Sequence, residues 1–220
     1  MRRGERDHLL RVETLPPEDN MRKDEELFLV AEESLGGPFL RVYRWDRVCL
    51  SLGYFQKEKK NLSLPVVRRP TGGGALLHGW DVSFSLVDVK ERWGGTSSAI
   101  YRGVSDIIGR AFESVGIKVR LERFRGAYLD RFFCFWVPTF GELTWSGKKL
   151  VSMAMRTGKR AFLLQGSVYE NFDHERASRI LGVSRELLKS RITSLQEVGM
   201  PTERFLSALF ESFTPVFRDV

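Results

Sequence analysis

The sequence of 220 residues is poor in residue types that mark particular protein classes. Its two cysteines, Cys49 and Cys134, are too few for a disulfide framework, and neither belongs to a C-x-x-C pair. Its three histidines are scattered without metal-ligand spacing, so no metal site held by side chains is predicted. No apolar run reaches the roughly 18 residues that a membrane-spanning helix needs. The basic N-terminus lacks the apolar stretch of a secretory signal, and we therefore expect a cytoplasmic protein without membrane attachment.

Positive charge is in excess, because 35 Lys and Arg oppose 28 Asp and Glu and leave a net charge of +7. A solvated basic surface explains this excess, and an acidic protein partner or nucleic acid are the alternatives. The cations are dispersed, and only Lys57, Lys59 and Lys60 form a short run. This distribution favours a protein partner over a nucleic-acid groove.

The hydrophobic pattern indicates one α+β domain over residues 1–220, whose part from about 175 onward is helical. Helices are predicted at Met21–Ser34, Ser97–Val115 and after Thr202 as N-cap. Phe39–Trp45 and Val48–Leu52 are aromatic and β-branched, and Asp46-Arg47 between them predicts a hairpin. Further strands are predicted at Val82–Asp88, Lys118–Glu122, Glu142–Trp145, Lys149–Arg156 and Ala161–Tyr169.

The segment Thr71-Gly72-Gly73-Gly74 is the first candidate site. Successive glycines permit positive φ and let backbone N–H groups approach a ligand, although a flexible turn is the alternative. The segment is not the phosphate loop G-x-x-x-x-G-K-[ST]. Arg68-Arg69 before it and His78 after it strengthen the case for a binding role and leave both interpretations open.

The segment SGKKLVSMAM is the second candidate site. If a strand begins at Lys149, alternation places Lys149, Val151, Met153 and Met155 on one face. An ammonium above an apolar floor would suit an acyl chain with a carbonyl at its head. Taken alone, however, the segment favours a solvated basic turn after Gly147.

Cys134 is the third candidate and lies in an aromatic segment with Phe132, Phe133, Phe135 and Trp136. Composition alone favours a buried structural cysteine. A nucleophilic cysteine would need a nearby cation or base that stabilises its thiolate. Lys149 could supply that charge, but sequence spacing does not decide whether the two residues meet. Cys49 is predicted to lie in the core.

Together these segments resemble the lipoate-protein ligase A and octanoyltransferase family, which shares its fold with biotin-protein ligases. RRPTGGGALLH at 68–78 matches the signature R-R-x-T-G-G-G-A-x-x-H, and GELTWSGKKLVSMAMR at 141–156 is similar to the segment with the family's lysine, here Lys149. NMRKDEELF at 20–28, LRVYRWDRVCLSLGYFQ at 40–56 and LKSRITSLQEVG at 188–199 extend the resemblance over nearly the whole chain. The implied fold is a mixed, mostly antiparallel sheet flanked by helices.

The resemblance also implies a tunnel for an octanoyl or lipoyl chain. Lys149 would bind the acyl carbonyl or, in ligases, the acyl-adenylate. The implied substrate-binding residues are Arg69, Thr71, Gly72, Gly73, Gly74, Ala75, His78, Val151, Met153 and Gly166.

Two mechanisms occur in this family. Ligases activate lipoate with ATP and Mg, and they usually carry an extra C-terminal domain or use an accessory protein. Transferases use a cysteine, and CFWVPTFGEL at 134–143 resembles their segment C-F-x-x-P-x-x-x-E-L. The chain also ends near residue 220, which leaves no room for the accessory domain.

The resemblance to the transferases therefore implies that Cys134 takes octanoyl from acyl carrier protein as a thioester, without a cofactor. The group would then pass to a lysine of a lipoyl domain, in a 2-oxoacid dehydrogenase E2 or the glycine cleavage H protein. The nearest alternative is an ATP-dependent lipoate-protein ligase, which could need a separate accessory subunit.

Three positions depart from the family pattern. Gly79 stands where an aspartate usually follows the histidine, Ser152 replaces a glycine three residues after the lysine, and Gln165 replaces the histidine of Q-H-G-S. A non-catalytic acyl- or carrier-binding protein is therefore another alternative. A biotin ligase is disfavoured because the G-R-G-R-x-G-R loop is absent, and nucleic-acid binding is suggested by charge alone.

Overall fold

The computed structural model describes residues 12–57, 63–121, 132–136 and 139–218. Some sequence predictions fall outside these residues. They concern Lys59 and Lys60 of the basic run, Glu122 at the end of a predicted strand, and Val137 and Pro138 of the cysteine segment.

Within these described ranges, ten strands form two sheets. They are β1 (Glu13–Leu15), β2 (Phe39–Trp45), β3 (Cys49–Leu52), β4 (Val66–Arg68), β5 (Leu76–His78), β6 (Asp81–Val89), β7 (Arg120–Leu121), β8 (Leu143–Trp145), β9 (Lys148–Thr157) and β10 (Ala161–Tyr169). The main sheet has the order β1-β2-β6-β10-β9-β8-β7, and only its β1–β2 pair is parallel. The small sheet has the order β4-β3-β5. The predicted mixed, mostly antiparallel sheet is confirmed.

The predicted hairpin between β2 and β3 is wrong. Strand β2 pairs with β1 and β6 in the main sheet, whereas β3 pairs with β4 and β5 in the small sheet. All four residues of Cys49–Leu52 are buried, so β3 lies between other elements instead of forming an edge. Apolar pattern and a turn signal identify two strands, but they do not determine which partner each strand takes.

In the part of the chain that the structure describes, five α-helices accompany the sheets: α1 (Pro17–Ser34), α2 (Ser97–Ser114), α3 (His174–Leu181), α4 (Arg185–Arg191) and α5 (Thr202–Phe213). Helix α1 begins at Pro17 instead of near Met21, because proline suits a first helical turn whose N–H groups have no partner. Helix α2 begins after Thr96, whose hydroxyl accepts a hydrogen bond from the Ala99 N–H. Thr202 is the first residue of α5 instead of its N-cap.

Helices α2 and α5 cover one face of the main sheet. The rings of Phe112 and Phe205 stack there with centroids 4.7 Å apart, and Phe84 of β6 lies in the same buried cluster. The other face is covered by α1 and the small sheet, where Phe28 packs against Leu163. The two faces differ in polarity. The core beneath α2 and α5 is apolar, whereas the face beneath α1 and the small sheet also buries serines and carboxylates. Within the described ranges, no helix is both long and apolar enough to cross a bilayer.

Candidate active site

The glycine loop, residues 71–74, is held in place by the side chain of Arg69. Its guanidinium donates to the carbonyl oxygens of Gly72 at 2.6 Å, Gly74 at 2.7 Å and Ser51 at 3.0 Å. Arg69 is buried, so these charge-assisted bonds form away from bulk water. The described hydrogen bonds of Arg69 thus fasten the loop to strand β3.

The segment that carries Cys134 pairs with the residue after the glycine loop. Ala75 N–H donates to the Phe132 carbonyl at 2.8 Å, and Cys134 N–H donates to the Ala75 carbonyl at 3.0 Å. A Cβ added at Gly74 would lie 3.0 Å from the Cys134 nitrogen and 3.2 Å from the Phe132 oxygen. Glycine at this position lets the two segments approach closely, and Gly74 therefore helps to set the position of Cys134.

A bulge in strand β9 turns Lys149 away from the core beneath α2 and α5. Leu143 pairs with Val151, but Thr144 pairs with Lys149, so Leu150 is an extra residue on β9. Leu143 and Val151 lie in that core, and alternation places Thr144, together with its partner Lys149, on the other face. The prediction that Lys149 and Val151 share a face is wrong for this reason.

Lys149 forms a buried ion pair next to Cys134. Its Nζ lies 2.7 Å from Oε2 of Glu142, and both side chains are almost completely buried. The same ammonium donates to the Cys134 carbonyl oxygen at 2.5 Å. The Thr139 N–H donates to Glu142 Oε2 at 2.6 Å and fixes the carboxylate. The structure thus brings Cys134 and Lys149 together.

The thiol of Cys134 is subject to opposing influences on its pKa. Burial raises the pKa of this thiol above its ordinary value, and the negative charge of Glu142 raises it further. The positive charges of Lys149 and Arg69, and a hydrogen bond with Ser152, lower the pKa without cancelling the effect of burial. Ser152, where the family has glycine, therefore contacts the candidate nucleophile. At neutral pH the thiol is mostly protonated, and the nearby cations favour the thiolate when it forms.

Cys134 lines a cavity that lies between the main sheet, the small sheet and α1. Its lining consists of Met21, Tyr43, Trp45, Ser51, Arg69, Gly73, Gly74, Leu76, His78, Ser83, Cys134, Glu142, Ser152, Met153, Ala154, Gln165, Gly166 and Ser167. Met21, Trp45 and Leu76 contribute apolar surface, whereas the buried polar side chains bind one another. An apolar chain could lie here without leaving these polar groups unpaired.

His78 connects polar side chains along the wall of this cavity. Its Nε2 lies 2.8 Å from Ser51 Oγ, and its Nδ1 lies 2.8 Å from Asp81 Oδ2. The same Asp81 oxygen accepts from Ser83 at 2.9 Å and Ser167 at 2.6 Å. Burial opposes ionisation, but His78 and these hydroxyls hold the pKa of the Asp81 carboxyl below its ordinary value. The network orients the imidazole beside the cavity.

Asp81 also accounts for the departure from the family pattern at Gly79. The sequence has no aspartate directly after His78, yet Asp81 supplies a carboxylate to its ring from three residues further on. Gly79 has φ +110°, and an added Cβ would lie 2.7 Å from the Val48 Cα. The glycine thus allows a tight turn that brings Asp81 back to His78.

Gln165, which replaces the family's histidine, links the glycine loop to helix α1. Its Oε1 accepts from the Thr71 hydroxyl at 2.6 Å, and its Nε2 donates to Asp24 Oδ2 at 2.7 Å. Asp24 is fully buried and also binds Arg41 and, at 2.9 Å, the Tyr43 hydroxyl. This network crosses the face of the main sheet that α1 covers, and it makes Gln165 a structural partner of the glycine loop.

The residues that resemblance assigns to substrate binding divide into three groups. Six line the cavity: Arg69, Gly73, Gly74, His78, Met153 and Gly166. Three belong to the loop or follow it without lining the cavity: Thr71, Gly72 and Ala75. Val151 lies in the core instead. A Cβ at Gly166 would lie 2.0 Å from the ring of Phe84, so the core ring occupies that space.

Sequence reasoning did not assign roles to Ser51, Asp81, Glu142 or the Gln165–Asp24 pair. Glu142 could have been found, because it is the glutamate of the segment C-F-x-x-P-x-x-x-E-L. The contacts of Ser51 and of the Gln165–Asp24 pair join residues that are distant in sequence, and no local spacing indicates them. Asp81 is only three residues from His78, and the turn at Gly79 brings its carboxylate back to the ring.

The family model for the lipoyl protein ligase A/B catalytic domain matches residues 16–214. Octanoyltransferase LipM of Carboxydothermus hydrogenoformans is 32% identical over 184 residues, which cover 79% of this chain and 68% of that protein. Octanoyltransferase LipM of Lysinibacillus sphaericus is 30% identical over 231 residues, which cover 90% of this chain and 82% of that protein.

Among solved structures, lipoate-protein ligase A bound with ATP has a similar fold. The TM-score is 0.74 at 19% identity, and the match covers 94% of this chain and 84% of the ligase chain. At this identity the likeness concerns the fold, which agrees with the biotin/lipoate ligase-like architecture expected from the sequence.

Proposed function

The chain belongs to the lipoyl protein ligase A/B catalytic domain family, and on that premise we propose that it is an octanoyltransferase of protein lipoylation. It moves an octanoyl group from acyl carrier protein to a lysine of a lipoyl domain through a thioester on Cys134. The relatives named octanoyltransferase support the transfer reaction. Cys134 lines a cavity and lies beside a buried lysine, which supports the thioester route.

The proposed first step is a thioester exchange. The Cys134 thiol gives up its proton, and its sulfur attacks the carbonyl carbon of the octanoyl donor. The new C–S bond forms as the bond to the donor sulfur breaks, and the departing thiolate takes up a proton. Because one thioester replaces another, the step needs no ATP, metal or redox cofactor for its balance.

The proposed second step transfers the acyl group to nitrogen. The neutral amine of the target lysine attacks the carbonyl carbon, and the bond to Cys134 sulfur breaks. The nitrogen loses one proton as the amide forms, and the cysteine sulfur regains one. A thioester is more reactive toward amines than the amide product is toward thiols, so the transfer is favoured.

In the proposed mechanism, Lys149 is an electrostatic stabiliser in both steps. Its ammonium donates to the backbone carbonyl of Cys134 and pairs with buried Glu142. Negative charge develops on the sulfur and the acyl oxygen during each step, and a fixed cation in a water-poor site stabilises such charge. Glu142 holds the ammonium in place and keeps the resting site near neutrality.

We also propose that residues 16–214 act as one catalytic domain, which includes the helical C-terminal part. Helix α5 packs on α2 through the rings of Phe112 and Phe205. The N–H of Thr193 donates to the Lys149 carbonyl at 3.0 Å. The C-terminal part is therefore in direct contact with the strand that carries Lys149.

The contact of buried Lys149 with Cys134, a residue that lines the cavity, carries this proposal, and the mass of the intact protein tests it. The protein is mixed with octanoyl-acyl carrier protein without ATP. We expect one octanoyl adduct on the wild type, none on Cys134→Ala, and transfer of the adduct to an added lipoyl domain. Cys49→Ala is the matched control and should form the adduct.

Two results would contradict the proposal. Acylation of a lipoyl domain that requires lipoate and ATP and proceeds in Cys134→Ala would identify a ligase. Binding of octanoyl-acyl carrier protein without adduct or transfer would identify a non-catalytic binding protein.

A further inference from the structure

An exposed aromatic pair lies on the Tyr54 loop, residues 53–57. The Phe55 side chain is 89% exposed and Tyr54 is 49% exposed, and their rings meet edge to face with centroids 4.9 Å apart. Phe55 is the most exposed large hydrophobic side chain in the part of the chain that the structure describes. A water-facing aromatic ring of this size has no evident role in folding, because it buries almost no surface.

The backbone of the Tyr54 loop is fixed by several hydrogen bonds. Arg68 donates to the carbonyl oxygens of Gly53, Tyr54 and Gln56 at 2.7 to 3.1 Å. The Tyr54 N–H donates to the Thr71 carbonyl at 2.8 Å. The aromatic pair is therefore presented on a held loop, and little conformational entropy is lost when a partner covers it.

The same loop borders the proposed reaction site. A Cβ added at Gly53 would lie 2.0 Å from the Gly73 oxygen, so the Tyr54 loop and the glycine loop touch through their backbones. Gln56 Nε2 donates to the Phe132 carbonyl at 2.6 Å, two residues before Cys134. Gly73 is exposed and also lines the cavity, which places an opening of the cavity beside the Tyr54 loop.

Charge adds to the apolar surface at this place. The Arg68 guanidinium lies among the loop carbonyls, and Lys57 at the end of the loop is exposed. The patch is thus basic as well as aromatic, and an acidic surface on the partner would complement it. The lysine that receives the acyl group must reach Cys134 from its own domain, so the surface around that lysine has to cover the edge of the cavity.

We propose that the Tyr54 loop is the docking surface for the lipoyl domain, with Phe55 and Tyr54 as its aromatic anchors. The proposal rests on the proposed function, since it names the surface that recognises the acceptor of that reaction. Exposed aromatic side chains at the centre of an interface often contribute much of its affinity.

The first test measures binding without acyl chemistry. The wild-type protein is titrated with the apo lipoyl domain of a 2-oxoacid dehydrogenase E2 in a calorimeter. We expect Phe55→Ala to weaken binding about tenfold and Tyr54→Ala to weaken it less. Leu29→Ala, an exposed apolar residue on α1, is the matched control and should bind like the wild type. Phe55 is almost fully exposed and Tyr54 is half-exposed, so the variants should fold.

The second test separates docking from chemistry. Cys134 is loaded with a small octanoyl thioester, and the lipoyl domain is then added at increasing concentration. Phe55→Ala should load at the wild-type rate but need about tenfold more lipoyl domain for half-maximal transfer. If the wild type never forms the adduct, the proposed function fails, while the calorimetric result still decides whether the lipoyl domain docks here.

Three results would overturn the docking proposal. Phe55→Ala and Leu29→Ala could bind the lipoyl domain equally well. Phe55→Ala could instead lose affinity for acyl carrier protein alone, which would assign the patch to the acyl donor. The wild type could sediment as a dimer that Phe55→Ala dissociates, which would show that a second copy of the chain covers the patch.

Discussion

Single residues around Cys134 determine how readily its thiol loses a proton. Burial raises the thiol pKa, and the buried carboxylate of Glu142 acts in the same direction. The ammonium of Lys149 acts against both. Because the thiolate is the nucleophile, the rate at which Cys134 reacts should rise with pH until this raised pKa is reached.

The pH dependence of alkylation tests this balance of charges. The rate at which Cys134 reacts with iodoacetamide should rise with pH. The midpoint of this rise should lie above the pKa of a free thiol, which is about 8.5. Glu142→Gln removes a negative charge next to the sulfur and should shift the midpoint to lower pH. Lys149→Gln removes a positive charge and should shift it to higher pH. Intact-protein mass spectrometry at each pH gives the rate.

Cys134→Ala is the control for this titration, because it reports any labelling of buried Cys49. Midpoints that move in the same direction in both charge variants would contradict the opposing roles of Glu142 and Lys149.

Residues of this site were predictable where a local motif contains them. The glycine loop, Lys149 and Cys134 follow from three short segments of sequence. Ser51 and Asp81 were not predictable, because their contacts with His78 depend on the pairing of β3 with β5 and on a turn at Gly79. Such contacts arise from the positions of whole strands.

Among the secondary-structure elements, the glycine loop positions the segment of Cys134. Gly74 is the contact point, because a Cβ added there would lie only 3.0 Å from the Cys134 nitrogen. Gly72 lies in the same loop, and a Cβ added there would meet no atom within 4 Å. The two glycines therefore differ in what a methyl group would do.

Replacement of these glycines tests the positioning role of the loop. Gly74→Ala should push the Cys134 segment aside and slow thioester formation roughly tenfold to a hundredfold, since small displacements of a reacting atom are costly. Gly72→Ala should slow thioester formation much less. Both variants should keep an unfolding temperature within a few degrees of the wild type.

The rate of octanoyl loading from a small thioester, measured by intact mass, separates the two variants. Equal losses in Gly72→Ala and Gly74→Ala would mean that loop flexibility, and not the contact with Cys134, controls the rate.

The elements themselves were largely predictable from periodicity. The pattern of α2 and the strand Ala161–Tyr169 agree with the structure. The pairing of β2 with β3 was not predictable, because the hydrophobic pattern of a strand contains no information about its neighbour. The face of the sheet on which Lys149 lies also could not be predicted, because no local sequence pattern indicates the bulge at Leu150.

For the whole molecule, the net charge of +7 should influence how it meets its protein substrates. Acidic carriers approach a basic protein faster when salt does not screen the attraction, and the screening length falls below about 10 Å above 0.1 M salt. Charge at this scale changes encounter rates and leaves the chemistry at Cys134 unaffected.

Salt dependence tests this effect. The kcat/KM for transfer to an acidic lipoyl domain should fall several-fold as salt rises from about 0.05 M to 0.3 M. Loading from a small, uncharged octanoyl thioester is the internal control and should change little. A flat salt response for the lipoyl domain would contradict electrostatic steering and leave the basic surface as a solvated one.

The extra residue at Leu150 sets a condition on any attempt to rebuild this site elsewhere. An ideal strand alternates strictly, and a designer who copied Lys149 and Val151 onto such a strand would send both side chains into the same layer. The lysine would then lie in the apolar layer and Cys134 would lose its cation. A scaffold that hosts this pair must therefore include the extra residue as a bulge, or omit it so that Lys149 and Val151 become neighbours on opposite faces.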